Sequence, residues 1–153
     1  WNSYTKEQGF GDAGMNSFNH YALGSVGEWF YRYVAGIEID SRYPGYERFI
    51  VRPQPGGRLT WARANYHSIR GPISVHWQLQ DESLMLNVSV PANTTATVYV
   101  PLGEKGQLVE GKTILVSQGS VSAEKPDGVS QVLTDDQTAV VELGSGDYAF
   151  VAR

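Results

Sequence analysis

Cysteine is absent from these 153 residues, so no disulfide framework, thiolate zinc site or cysteine nucleophile can be built from them. Long apolar runs are absent as well: none reaches 18 residues, which excludes a membrane-spanning helix from the sequence. Charged residues make up only 18% of the chain, but apolar residues reach 41%, too many for a disordered segment. Histidine occurs three times, at 20, 67 and 76, with no i, i+4 pair and no tight cluster of acids, so neither a metal nor another cofactor is expected. A G-x-S-x-G nucleophile elbow is missing, and so is a phosphate-cradling loop. The net charge of −4 argues against nucleic acid as the main partner. There is no signal peptide, and the chain opens at Trp1 rather than Met, which points to removal of whatever came before it.

What is present is punctuation and periodicity. Seventeen glycines and seven prolines fall between short apolar runs, the pattern of a turn-rich β protein. The first 37 residues differ: a glycine-rich stretch, residues 9–14, precedes a helical period. Phe18, Ala22, Val26, Trp29, Phe30, Tyr33, Val34 and Ile37 recur at three- and four-residue steps on one arc. Asn16 or Ser17 suits an N-cap and Gly36 a C-terminal stop. A second stripe carries His20, Gly24, Gly27 and Tyr31. Glycine inside a helix costs about 1 kcal/mol relative to alanine, so two of them one turn beyond His20 imply either tight helix packing or a histidine presented to a ligand. The helix cannot bury its apolar arc alone and must fold onto other structure or self-associate.

From residue 44 onward the period is two. Ile73, Val75, Trp77 and Leu79 face one way, as do Leu84, Leu86, Val88 and Val90, and then Ala96, Val98 and Val100. Further strands are expected at 48–53, 58–66, 107–116, 129–133, 138–143 and 147–152. Asp81-Glu82 marks a tight hairpin, Pro91-Ala92-Asn93 a corner, and residues 144–147 another hairpin. Eight or nine short strands predict an antiparallel β-sandwich. Between Arg42 and Arg70 six arginines meet one acid, Glu47; this basic stretch implies a solvated or interdomain face first and an acidic-ligand site second. His76 alternates outward on its strand, and His67 lies near a turn.

Hydrolysis of a glycoside needs two carboxylates across a sugar cleft. Near the helix only Glu7, Asp12 and Glu28 are candidates, and nothing pairs them. Aromatic platforms for a sugar would come from Trp1, Tyr4, Phe10, Trp29, Trp61 and Trp77. Trp29 and Trp77 fall on expected core faces, and Trp1, Tyr4 and Phe10 in the loop. Two N-x-S/T patterns, at Asn87 and Asn93, are too frequent by chance to carry a reading.

The residues nevertheless resemble a known family. The gap-free run from Gly14 to Tyr31, then Val34-Ala35-Gly36-Ile37, resembles the end of the catalytic barrel of bacterial α-L-rhamnosidases (glycoside hydrolase family 78). Residues 50–55, Gly71-Pro72-Ile73, Trp77 and the run from Val90 to Ala96 resemble that family's C-terminal β-sandwich. The likeness covers most of residues 1–102 and becomes generic after 103.

That resemblance implies an (α/α)6 barrel that removes terminal α-L-rhamnose with inversion, using one Glu as general acid and another as general base. Both acids would lie upstream of Trp1, so no catalytic residue is expected here. His20 would contact the bound rhamnose, and Trp1 would stand beside the base. The resulting expectation is mainly β: an antiparallel β-sandwich, residues 39–153, preceded by residues 1–38 as the last loop and helix of the barrel. Its partners would be the upstream barrel of the same polypeptide and a rhamnoside, with no nucleic acid and no membrane. The fragment alone would be inactive, residues 39–153 capping the barrel. The alternative is a carbohydrate-binding β-sandwich module, disfavoured because most aromatics alternate inward.

Overall fold

A computed structural model describes residues 4–11, 21–135 and 137–153. Trp1, Asp12, Asn16, Ser17, Phe18 and His20 lie outside the described residues. The chain divides into two compact units, residues 1–30 and 31–153.

In the first unit, β1 (Tyr4–Thr5) pairs antiparallel with β2 (Gly9–Phe10), placing Tyr4 opposite Phe10 with ring centroids 5.1 Å apart. The Thr5 hydroxyl accepts from the Gln8 amide at 3.0 Å, and Gly9 turns at φ +69°. Tyr4 and Phe10, expected in a loop, are therefore paired across a hairpin. Helix α1 (Tyr21–Trp29) follows, and a π-helical segment, Phe30–Ala35, spans the division between the units. A single α-helix running to Ile37 is thus not what forms. A π turn holds more residues than an α turn, so the 100° phase is lost beyond Trp29. Ala35 is buried and Val34 half-buried, whereas Val26, Trp29, Phe30 and Tyr33 are exposed. Trp29, expected in a core, is 48% exposed. Gly36 ends the segment at φ +85°, the left-handed stop that its position suggested.

The second unit is the sandwich. Ile37 leaves the helical arc and opens β3 (Ile37–Ile39), followed by β4 (Arg48–Val51), β5 (Trp61–Ser68), β6 (Gly71–Gln80), β7 (Ser83–Val90) and β8 (Thr95–Pro101). Then come β9 (Gln107–Glu110), β10 (Thr113–Ser117), β11 (Ser120–Val121), β12 (Val129–Thr134), β13 (Thr138–Leu143) and β14 (Gly146–Ala152). One sheet has the order β11-β10-β9-β14-β7-β6-β5 and the other β12-β13-β8-β4-β3. Every ladder is antiparallel except β4 with β8, where Phe49 lies opposite Ala96 and Val51 opposite Val98. The chain leaves β4, builds three strands of the opposite sheet, and returns beside β4 in the same direction; parallel neighbours require such a long crossover.

The alternating residues of both sheets meet in one core. Ile73, Val75, Trp77, Leu86 and Val88 from one sheet face Phe49, Val51, Val98, Val141 and Leu143 from the other, all at most 1% exposed. Burying each such side chain is worth about 1.5–3 kcal/mol, which sets which face of every strand turns inward. The expected strand 107–116 is in fact two: Gly111, at φ +56°, breaks it into a hairpin, Glu110 opposite Thr113.

Asp81 and Glu82 do close a two-residue hairpin, with Gln80 opposite Ser83. Both residues sit in the left-handed region, at φ +46° and +63°. Such a turn favours Asn-Gly, because side chains other than glycine are strained there. Replacing Asp81-Glu82 by Asn-Gly should raise stability by about 1 kcal/mol and the melting temperature by ~2–4 °C. A differential-scanning melt that stays level or falls would show that backbone strain is not what limits this turn.

Candidate functional site

The residues singled out from the sequence separate in the structure. His20 and Trp1 lie outside the described residues. Glu7 and Glu28 are exposed. A Cβ added at Gly24 or Gly27 would meet nothing within 4 Å among the described residues, so no tight neighbour explains either glycine there. Tyr31, the last member of that stripe, donates from its hydroxyl to the Asn65 carbonyl at 3.2 Å and sets its ring edge-on to Tyr66. Among the described residues no group of three or more His, Cys, Asp or Glu could hold a metal ion.

The arginines do not form one basic face; most are engaged one by one. Arg70 donates to Glu47 at 3.0 Å. Arg42 grips Asp40 through Nε and Nη2, at 3.0 and 2.8 Å, and its amide donates to the same carboxylate. Those side-chain hydrogen bonds hold the Asp40 carboxyl below its usual range, even though burial pulls the other way. Arg48 donates to Glu142 at 2.6 Å and to the Thr97 hydroxyl at 3.1 Å, while Thr97 donates to the other Glu142 oxygen at 2.9 Å. This triad bridges β4, β8 and β13, and its Arg48 and Glu142 line an open cleft of about 510 Å³ with Thr95, Ser130 and Gln131. Arg52 lies over the Tyr99 ring at 4.0 Å. Sequence reasoning could not have found the Arg48–Glu142 pair, whose members are 94 residues apart, whereas Arg42 stands two residues from Asp40 and that pair was within local reach.

Tyr46 also escaped notice. Its ring packs 4.7 Å from that of Tyr66, and burial, with the hydrogen bond to Tyr66, pushes its hydroxyl up to about 12. Carboxylates that could have served in catalysis are thus committed elsewhere: Asp40, Glu47 and Glu142 to arginines, and Asp147 to the Ser89 hydroxyl at 2.6 Å.

The outward face of the seven-stranded sheet is organised differently. Along β5, Ala62, Ala64 and Tyr66 turn inward while Trp61, Arg63, Asn65 and His67 turn out. The register aligns them in rows: Trp61 with Gln78 and Met85, Arg63 with His76 and Asn87, Asn65 with Ser74 and Ser89. Trp61 is 60% exposed. The signal was present in the sequence as strict alternation from 61 to 67, but nothing local told which face would be buried.

Comparison with known proteins adds the following. Residues 36–115 match the model of the bacterial alpha-L-rhamnosidase C-terminal domain, and residues 1–34 that of the bacterial alpha-L-rhamnosidase 6 hairpin glycosidase domain. The chain is 40% identical to an alpha-L-rhamnosidase of Streptomyces avermitilis over an alignment covering 98% of this chain and 13% of that protein. It is 42% identical to one from Formosa agariphila, over 66% of this chain and 11% of the relative. Its structure is similar to the crystal structure of the Streptomyces avermitilis enzyme complexed with L-rhamnose, with a TM-score of 0.72 and 38% identity, covering 100% of this chain and 13% of that one. It is also similar to the alpha-L-rhamnosidase of Dictyoglumus thermophilum, with a TM-score of 0.71 and 33% identity, covering 94% of this chain and 15% of that one. The chain therefore spans only about an eighth of the length of the relatives it matches.

Proposed function

This chain belongs to the bacterial α-L-rhamnosidase family, and from that membership we propose that it is the C-terminal portion of a glycosidase that removes terminal α-L-rhamnose with inversion. The observation that carries this reading is the adjacency of two family matches on one chain, a glycosidase domain at 1–34 and a C-terminal domain at 36–115. Residues 1–38 then hold the last loop and helix of an (α/α)6 barrel together with the start of β3, and residues 39–153 the rest of its C-terminal β-sandwich. The barrel is the sandwich's partner within the same polypeptide.

In an inverting glycosidase one carboxylic acid protonates the leaving oxygen. A second carboxylate takes a proton from the attacking water, roughly 6.5–9.5 Å across the sugar. This chain supplies neither group. Asp40, Glu47 and Glu142 are each tied to an arginine, and the side-chain hydrogen bonds from Arg42 hold the Asp40 carboxyl below its usual range, which ill suits it to donate a proton. His20 and Trp1 contact the sugar, and the sandwich supports the barrel. By itself the 153-residue chain is inactive.

One experiment tests this on three proteins: the full-length gene product, its His20→Ala variant, and the present chain, each assayed on p-nitrophenyl α-L-rhamnopyranoside. The full-length protein should release rhamnose in its inverted anomeric form by NMR, and the chain alone none. His20→Ala should lower kcat/KM about ten- to a hundredfold with an unchanged unfolding curve, as expected for a lost hydrogen bond to substrate. Rhamnose release by the chain alone would refute its inactivity. Unchanged kinetics of the variant would remove His20 from the sugar site.

A further inference from the structure

We propose that the outward face of the seven-stranded sheet, centred on Trp61, is a binding surface for a neutral saccharide. The proposal starts from Trp61. Strand β5 is the edge of its sheet, and Trp61 is 60% exposed there. By contrast Trp77, its neighbour across the same ladder by one position, is fully buried. An indole face open to water is an apolar plate, and the C–H face of a pyranose ring is the common ligand that matches it.

The neighbours of Trp61 supply what the hydroxyls of such a ring need. Arg63, Asn65, His76, Gln78 and Asn87 share its face in adjacent rows of β5, β6 and β7. Among the described residues none of their side chains makes a hydrogen bond or ion pair, so their donors and acceptors are free. Same-face residues stand about 7 Å apart along a strand and strands about 4.8 Å apart, so three rows on three strands offer a patch about 10 by 13 Å. That is room for about two pyranose rings.

The charge of the patch selects the class of ligand. Its amides are neutral groups, Arg63 carries the one permanent positive charge, and Asp147, at its border, is engaged by Ser89. One arginine is too little to hold a polyanion. A protein partner would be met by a larger apolar centre; here a single tryptophan stands among polar side chains. A carboxylate would use Arg63 alone and leave the side chains of Asn65, Gln78 and Asn87 without partners. A neutral, hydroxyl-rich ligand with one apolar face fits all three features.

This surface does not rest on the glycosidase reading; only the choice of L-rhamnose as first probe does. The test is an NMR titration of the ¹⁵N-labelled 153-residue chain with L-rhamnose, methyl α-L-rhamnopyranoside, cellobiose and maltose, each to 50 mM. At least one sugar should shift the Trp61 indole and the amides of Arg63, His76, Gln78 and Asn87 saturably, leaving the Trp77 indole in place. Trp61→Ala should weaken binding about tenfold or more, and Arg63→Ala by about three- to tenfold, as truncation of anchor residues does. Because both side chains are exposed, both variants should unfold at the wild-type midpoint, and Leu133→Ala on the other sheet should bind as wild type. Binding of cellobiose or maltose without rhamnose would uphold the surface and separate it from rhamnoside hydrolysis. The proposal is overturned if no sugar moves Trp61, if the shifts survive in Trp61→Ala, or if they track protein concentration instead of sugar. The last result would make this face a contact between copies of the chain.

Discussion

Gly36→Ala should destabilise the sandwich by about 4 kcal/mol or more, a large part of the roughly 5–15 kcal/mol that holds a domain folded. Two costs coincide at this residue. Its φ of +85° lies in the left-handed region, where a side chain adds about 1–2 kcal/mol. A Cβ there would also overlap the Pro53 nitrogen and the Arg52 carbonyl carbon and stand 2.6 Å from Pro53 Cα. These are backbone atoms and cannot swing aside as a side-chain tip can. Arg52 is moreover held in place, because its amide donates to the Gly36 carbonyl at 2.8 Å. The contrast is Gly24→Ala, in α1 with no atom of the described residues within 4 Å of an added Cβ, which should gain about 0.5–1 kcal/mol. Urea unfolding of both variants checks this. A loss below about 2 kcal/mol for Gly36→Ala would mean that β3 and β4 shift apart more easily than their pairing suggests.

Trp77→Ala should cost about 4–6 kcal/mol, from the cavity left by a large buried ring and from a stranded carbonyl. Trp77 is fully buried, and its indole Nε1 donates to the Val34 carbonyl at 2.7 Å. The last carbonyls of a helix have no partner within it, and the sandwich provides three. Gln54 N donates to Tyr33, Trp77 to Val34 and Arg52 N to Gly36. Trp77→Phe keeps most of the volume and loses the donor, so it should cost about 1–3 kcal/mol. The gap between the two variants, measured by chemical denaturation, separates packing from hydrogen bonding. Equal losses would show that the indole N–H is the whole effect, and losses below about 2 kcal/mol that the core closes over the missing ring.

Much of the sandwich was legible before any coordinates. Period-two runs placed Ile73 to Leu79, Leu84 to Val90 and Ala96 to Val100 on core faces, and each is buried except Leu79, which is 38% exposed where its strand runs out into the hairpin at Asp81-Glu82. Turn chemistry marked Asp81-Glu82, the corner at Asn93 (φ +58°) and the stop at Gly36. These signals are local: a strand's alternation and a turn's φ angles are set by residues next to one another in the chain. Resemblance to a family was local in the same sense, carried by the run from Gly14 to Tyr31, and the adjacent family matches at 1–34 and 36–115 agree with it.

The rest needed tertiary structure. Trp29 and Trp61 had apolar credentials equal to those of Trp77, yet they are 48% and 60% exposed. Alternation tells which residues share a face, and only the opposing sheet decides which face is buried. Six arginines in one stretch looked like one basic surface until pairing gave Asp40, Glu47 and Glu142 to three of them, the last from 94 residues away. The parallel ladder of β4 with β8 follows from contacts between distant segments, whereas the break at Gly111 is a local turn, with Glu110 opposite Thr113, that the glycine itself marked. The amino-acid sequence by itself determined the strands, the turns and the family. The fold alone decided which side chains meet, because a pairing such as Arg48 with Glu142 depends on closing a loop of 94 residues, which neighbouring residues cannot encode.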